Sequence, residues 1–274
     1  MSDCKTIAIC NQKGGVGKTT TALNLGAGLS KAGKRVLLVD ADPQSDLTSA
    51  MGIEGEYLDK SLGYLMYQAT QDGRPQVNDT IIHHPEGMDL IPSNLDLSSM
   101  ESLLVNAMSR EKVLANLLKE VKKDYDYILI DCMPSLGMVT INALTAADSV
   151  IIPVQAQYLP AKGMTQLLRS VQMVRNHTNE HLKIDGIVMT LVDGRTNLSR
   201  EVISAIRSNY GMQIRIFDTQ IPVAVKAAEA TKAGRSIYAY DKGSKPAKAY
   251  MELTEEVMKL GGREKRRDEA AIDR

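Results

Sequence analysis

Between residues 5 and 31 the sequence leaves little choice of local structure. KTIAICN (5–11) is an apolar run of strand length, and GGVGKTT (14–20) follows almost at once. Leu23, Leu25, Ala27 and Leu29 then lie among small residues over 19–31, with Gly33 near the end. The first run reads as a buried strand closed by glycine, and the last as a helix. A further apolar run, RVLLVD (35–40), gives that helix a second strand to reach.

The alternation continues along the chain. Helices are expected at 61–69, 96–107 and 110–123, a short strand at 88–93 and a strand at 125–131. A helix at 137–147, a strand at 149–154 and a helix at 161–177 follow, the last from the period of Met164, Leu167, Leu168 and Val171. A strand at 184–193, a helix at 198–210, a last strand at 214–217 and closing helices at 224–233 and 246–260 complete the pattern. Strands buried on both faces and alternating with helices argue for a single α/β domain over 1–261: a mostly parallel, twisted sheet flanked by helices on both faces. The tail from Gly262, GREKRRDEAAIDR, has no apolar face and is expected to be disordered over 262–274.

Composition narrows the classes. With one Phe and no Trp among 274 residues, the core must be aliphatic, with 14 Met filling gaps. There is no basic segment followed by a long apolar one at the start, and no apolar run near the roughly 20 residues that cross a bilayer. A cytoplasmic protein is expected. Cys4, Cys10 and Cys132 have no metal-ligand spacing and read as reduced thiols. Net charge is zero, yet residues 195–248 hold ten basic and four acidic side chains.

The glycine turn carries the chemistry. K-G-G-V-G-K-T-T fits the P-loop pattern G-x-x-x-x-G-K-[ST] only in part, because Gln12 stands where its first glycine would be. Its setting between strand and helix is the one the mechanism needs. Glycines let successive backbone N–H groups point inward at phosphate oxygens, and the helix start adds partial positive charge. Lys13, Gly14, Gly15, Val16, Gly17, Lys18, Thr19 and Thr20 are the expected nucleotide-binding residues. Lys18 would contact the β- and γ-phosphates and Thr19 would ligate Mg²⁺. Asp40 and Asp42 in LLVDADPQ, and Asp131 in YILIDCMPS, each follow an apolar run and so fall at the carboxyl edge of the sheet. Asp131 suits a metal-holding role through a water.

KGGVGKTT, VLLVDADPQ, YDYILIDCMPSLG and TLVDGRTNLS together resemble the ParA/Soj branch of the deviant Walker-A ATPases, over about residues 5–258. The first motif is shared with relatives such as MinD and the nitrogenase iron protein. The resemblance implies an ATP- and Mg²⁺-driven homodimer that binds double-stranded DNA non-specifically. A ParB-like, centromere-bound partner would stimulate hydrolysis, which would be slow without it. Lys13 becomes the signature lysine, reaching the phosphates of the other subunit. Gly14 and Gly15 fall where two backbones meet. Catalysis is assigned to Asp42, Lys13 and Lys18, with Asp42 orienting water and Asp40 and Asp131 supporting Mg²⁺. The adenine loop matches QIPVAV, which nominates Pro222 and Val223. Arg195 matches a DNA-contacting arginine, with Lys226 and Arg235 as further basic positions.

One segment departs from the family. IPVAVKAAEATK (221–232) stands where these ATPases usually carry a segment resembling IPRNVRLSEAPS, so Val223 replaces an arginine. Two rivals share the engine. A MinD-like protein would need an apolar C-terminal face, and this tail offers only Ile272 and two alanines, so no membrane partner is expected. A small-molecule ligase would need a substrate pocket beside the γ-phosphate, for which 57–110 is the candidate region. Nothing ahead of the first strand resembles the helix-turn-helix domain of larger plasmid partition ATPases, so operator-specific repression is not expected. The nucleoid is the expected location.

Overall fold

β1 (Lys5–Ile9) runs into the glycine turn, α1 (Lys18–Lys31) leaves it, and β2 (Val36–Ala41) follows. The computed structural model describes residues 4–71, 73–157 and 161–272. Alternate residues of both strands face opposite sides, and both sides are buried. Ile7, Ile9, Val36 and Leu38 enter one core, while Ala8, Leu37 and Val39 enter the other. Such strands belong to parallel sheets covered on both faces. α1 is approached closely on two nearly opposite sides, by the sheet at Gly26 and by Thr254 at Gly28. A Cβ at Gly26 would come within 2.7 Å of Leu38 Cδ2, and one at Gly28 would collide with Thr254 Oγ1.

The stretch after β2 is less regular. It holds α2 (Asp46–Ala50), α3 (Leu62–Thr70), β3 (Ile82–His83), β4 (Met88–Ile91), α4 (Met100–Leu103) and α5 (Val113–Lys119). The helix expected over 96–107 is one α-turn, α4, between 3₁₀ turns at Leu95–Ser99 and Leu104–Asn106. The helix expected over 110–123 shortens to α5 for a tertiary reason. Asn142 Nδ2 donates to Arg110 O at 2.7 Å and Asn142 Oδ1 accepts from Leu114 N at 3.1 Å, so a distant side chain sets where α5 begins.

The second half alternates as expected. β5 (Tyr127–Cys132), α6 (Met138–Ala146), β6 (Ser149–Gln155), α7 (Ala161–His177) and β7 (Lys183–Val192) are followed by α8 (Asn197–Tyr210). β8 (Ile216–Pro222), α9 (Val225–Lys232), α10 (Ile237–Asp241) and α11 (Lys245–Ile272) close the chain. The last strand starts later than expected and runs on to Pro222. Phe217, Thr219 and Ile221 are buried while Asp218 and Gln220 are exposed, as on an edge strand with one open face. α11 remains helical past Gly262, where a disordered tail was expected. Arg, Glu, Lys and Ala dominate Arg263–Ala271, and they favour helical backbone without needing an apolar face. Residues 273–274 lie outside the described residues.

Among the described residues the eight strands are ordered β3-β4-β2-β5-β1-β6-β7-β8, and only β3 is antiparallel. Ile9 pairs with Asp131 and Asp40 pairs with Asp131, so the two aspartates stand level on adjacent strands. The glycine turn, Asp40–Asp42, Asp131 and the turn after β7 therefore share the carboxyl edge, where open α/β sheets bind ligands.

Candidate functional site

The glycine turn is shaped by two of its glycines and anchored by residues outside it. Gly15 (φ +70°) and Gly17 (φ +82°) adopt left-handed backbone, which side chains resist. A Cβ at Gly14 or Gly15 would meet nothing within 4 Å. At position 14, therefore, no described residue crowds a side chain. Asn11 Nδ2 donates to Pro153 O at 2.7 Å, and its Oδ1 accepts from Lys13 N at 3.0 Å. Thr190 Oγ1 donates to Val16 O at 2.8 Å. Neither Asn11 nor Thr190 stood out in the sequence, because each is an ordinary polar residue whose partner is remote.

The two lysines diverge. Lys18 is buried, and its Nζ donates to Lys13 O at 3.3 Å, inside the curl of the turn. Lys13 is exposed, and its Nζ donates to Gln155 Oε1 at 3.3 Å at the end of β6. The first turn of α1 carries no acidic residue to offset the helix's positive end.

The carboxylates differ sharply in what they already hold. Both oxygens of Asp131 are buried and have no hydrogen-bond partner among the described residues. Burial, and next the Asp40 charge, pushes its carboxyl well above the usual range. Lys18 and the Thr19 hydroxyl oppose that shift, the hydroxyl lying near without closing a hydrogen bond. Orphaned buried oxygens beside Thr19 and Lys18 fit a hydrated divalent cation. Among the described residues no three His, Cys, Asp or Glu side chains group so as to hold a metal ion.

Asp40, expected from the sequence to support that ion, already holds partners within its own chain. Its Oδ2 accepts from Thr48 N at 2.9 Å and Thr48 Oγ1 at 2.6 Å, and its Oδ1 accepts from Asp42 N at 3.2 Å. Burial pushes its carboxyl up to about 7. Asp40 holds α2 and the Asp42 backbone, a role invisible without the fold. Asp42 is buried at the edge, and its Oδ1 accepts from Gln44 N at 3.0 Å. Ser45, next on this loop, sits at φ +52°, an uncommon backbone for a side-chain-bearing residue.

At the far side of the edge, Pro222 is the last residue of β8 rather than part of a loop. Val223 N donates to Val192 O at 3.1 Å and its side chain is half-exposed. A cavity of about 340 Å³ opens there, lined by Val192, Gly194, Gln220, Pro222, Lys245 and Lys248 among others. Arg195 lies on the turn after β7 with its side chain 91% exposed, and forks onto Asp193 at 2.9 and 3.0 Å. That pairing lowers the Asp193 carboxyl to about 2. Lys226 pairs with Asp241, and Arg235 Nη2 donates to Ala239 O at 2.8 Å. All three cations are surface groups held by their own chain.

Residues 4–184 match the family described as "AAA domain". The sporulation initiation inhibitor protein Soj of Bacillus subtilis is 45% identical over 257 residues, covering 94% of this chain and 99% of Soj. The chain belongs to the ParA/Soj family of deviant Walker-A ATPases. The chromosome partitioning protein ParA of Caulobacter vibrioides, from the same family, is 39% identical over 256 residues, covering 93% and 94% of the two chains. A solved structure from Mycobacterium smegmatis, described as cobyrinic acid a,c-diamide synthase with bound ATP analogue and magnesium, superposes with a TM-score of 0.80. It is 36% identical and covers 92% of this ParA/Soj-type chain and 93% of its own.

Proposed function

We propose that this ATPase is a DNA-partition switch: ATP joins two copies face to face, the pair holds DNA non-specifically, and hydrolysis releases it. The observation that carries the reading is the split between the lysines, with Lys18 inside the turn and Lys13 outside it at an open face. Phosphates cradled by the turn concentrate negative charge at that face. Lys18 neutralises part of it from within the chain, and Lys13 is placed to reach a second copy. Glycine at 14, where no described residue would meet a side chain, leaves room for the partner backbone.

Thr19, with Asp131 through water, would hold Mg²⁺, which supplies charge neutralisation on the phosphate oxygens. Backbone N–H groups from Gly14 to Thr20 position the phosphates, and Pro222 and Val223 border the adenine. Asp42 orients water at the γ-phosphate.

Arg195, Lys226 and Arg235 supply phosphate contacts on each subunit. Pairing doubles those contacts, so DNA affinity rises with ATP and falls with salt. A ParB-like, centromere-bound protein is the partner proposed to stimulate hydrolysis. Light scattering with and without ATP tests the core of the reading. The wild type should double in mass with ATP, whereas Lys13→Ala should bind nucleotide and stay monomeric. A Lys13→Ala protein that dimerises normally would remove the cross-subunit role.

A further inference from the structure

Cys10 and Cys132 stand side by side at the carboxyl edge, directly under the glycine turn. β1 and β5 pair in parallel with Ile9 opposite Asp131. The next residue on each strand turns to the other face, and the two thiols meet there. Sγ lies 2.7 Å from Sγ, and each residue is 1% exposed. Adjacent strands lie about 4.8 Å apart, within the roughly 4.4–6.8 Å that disulfides bridge between Cα atoms. Cys4 precedes the opposite, amino end of β1.

We propose that Cys10 and Cys132 form a reversible disulfide under peroxide, and that the bond weakens nucleotide binding. By sequence alone both cysteines read as reduced thiols. Their neighbours make the bond consequential. Cys10 leads into Asn11, whose side chain anchors the turn to Pro153 and to Lys13 N. Cys132 follows Asp131, whose oxygens have no hydrogen-bond partner among the described residues. Disulfides favour Cα separations of about 5.5–6 Å, wider than the strand spacing of about 4.8 Å. Closing the bond therefore splays the two strand ends that carry the turn and Asp131.

The chemistry balances with hydrogen peroxide as oxidant. One sulfur forms an S–O bond as the peroxide O–O bond breaks; its thiol proton leaves with the departing hydroxyl as water, and a sulfenic acid remains. The second sulfur then attacks that sulfur. The S–S bond forms, the S–O bond breaks, and the second thiol proton leaves as another water. Two electrons pass from the cysteine pair to one peroxide, and a dithiol reductant returns them.

The effect on binding rests on the nucleotide reading above; the cross-link itself does not. The full chain is treated with hydrogen peroxide, unfolded, alkylated and mapped by mass spectrometry, and ATP affinity is titrated before oxidation, after it and after dithiothreitol. Expected are a linkage between residues 10 and 132, alkylation of Cys4 alone, and a several-fold loss of ATP affinity that dithiothreitol reverses. Cys132→Ala should form no linkage and lose no affinity to peroxide. If that variant does not fold, mapping of the wild type still decides. Three alkylatable thiols after peroxide, or a linked protein with unchanged ATP affinity, would overturn the proposal. Reduced protein that binds no ATP would overturn the nucleotide reading and the switch together, whereas an unlinked pair in an ATP-binding protein overturns the switch alone.

Discussion

Thr190 Oγ1 donates to the carbonyl of Val16 at 2.8 Å, so β7 braces the glycine turn from 174 residues away. Both residues are buried. Thr190→Val keeps the shape, removes the donor and leaves a buried carbonyl unpaired, a loss of about 1–3 kcal/mol. ATP affinity should fall several-fold while the fold persists, as read by ATP titration beside a thermal melt. Unchanged affinity would mean the brace is structural only.

Thr48 serves two partners, donating to Asp40 Oδ2 at 2.6 Å and accepting from Ser93 N at 3.0 Å. Thr48→Val leaves Ser93 N without its acceptor and takes one of two donors from Asp40 Oδ2, and chemical denaturation should show a loss of about 1–3 kcal/mol.

Burial raises the Asp40 carboxyl from 3.8 to about 7. A raised carboxyl favours the folded protein while it is protonated, so its contribution is complete below the ordinary value and disappears as pH rises through about 7. Asp131 is shifted in the same direction. Nucleotide-free protein should therefore be more stable to urea at pH 5.5 than at pH 8.

Asp42→Ala should keep ATP binding and lower turnover by about 10²-fold, the scale of losing one preorganised group at a reacting centre. The ATP-bound dimer should then persist. Rapid dissociation of this variant in ATP would count against the role given to Asp42.

Arg195 holds Asp193 at about 2. This carboxyl is depressed, so the pair is intact above that value and breaks only as pH falls through it; both groups lie in solvent and add little stability. Arg195→Ala should return the Asp193 titration, followed by NMR, to about 3.9. Asp193→Asn should release the arginine and tighten DNA binding modestly.

The central sheet was legible because β1, β2 and β5 are unbroken apolar runs, as strands buried on both faces must be. β8 is longer than its sequence suggests because its exposed Asp218 and Gln220 interrupt the apolar run. α2 and α10, five residues each, are too short to show a period. The site divides on the same physical ground. Lys18, Thr19 and Asp131 announce themselves by motif, and the fold brings them together. The bonds from Thr48 to Asp40 were not legible, since a strand-end aspartate looks alike in sequence whatever its oxygens face. Asn11, Thr48 and Thr190 were missed because hydrogen bonds between residues far apart in the chain leave no local pattern.

The most direct test of the partition reading is binding to non-specific duplex DNA with ATP, with ADP and without nucleotide, at two salt concentrations, beside Arg195→Ala. Binding should require ATP and weaken with salt. Arg195→Ala should lower the log–log salt slope by about 0.9 for each DNA phosphate the arginine neutralises. If no nucleotide state binds DNA, the fold and the family assignment remain, but the partition reading is contradicted.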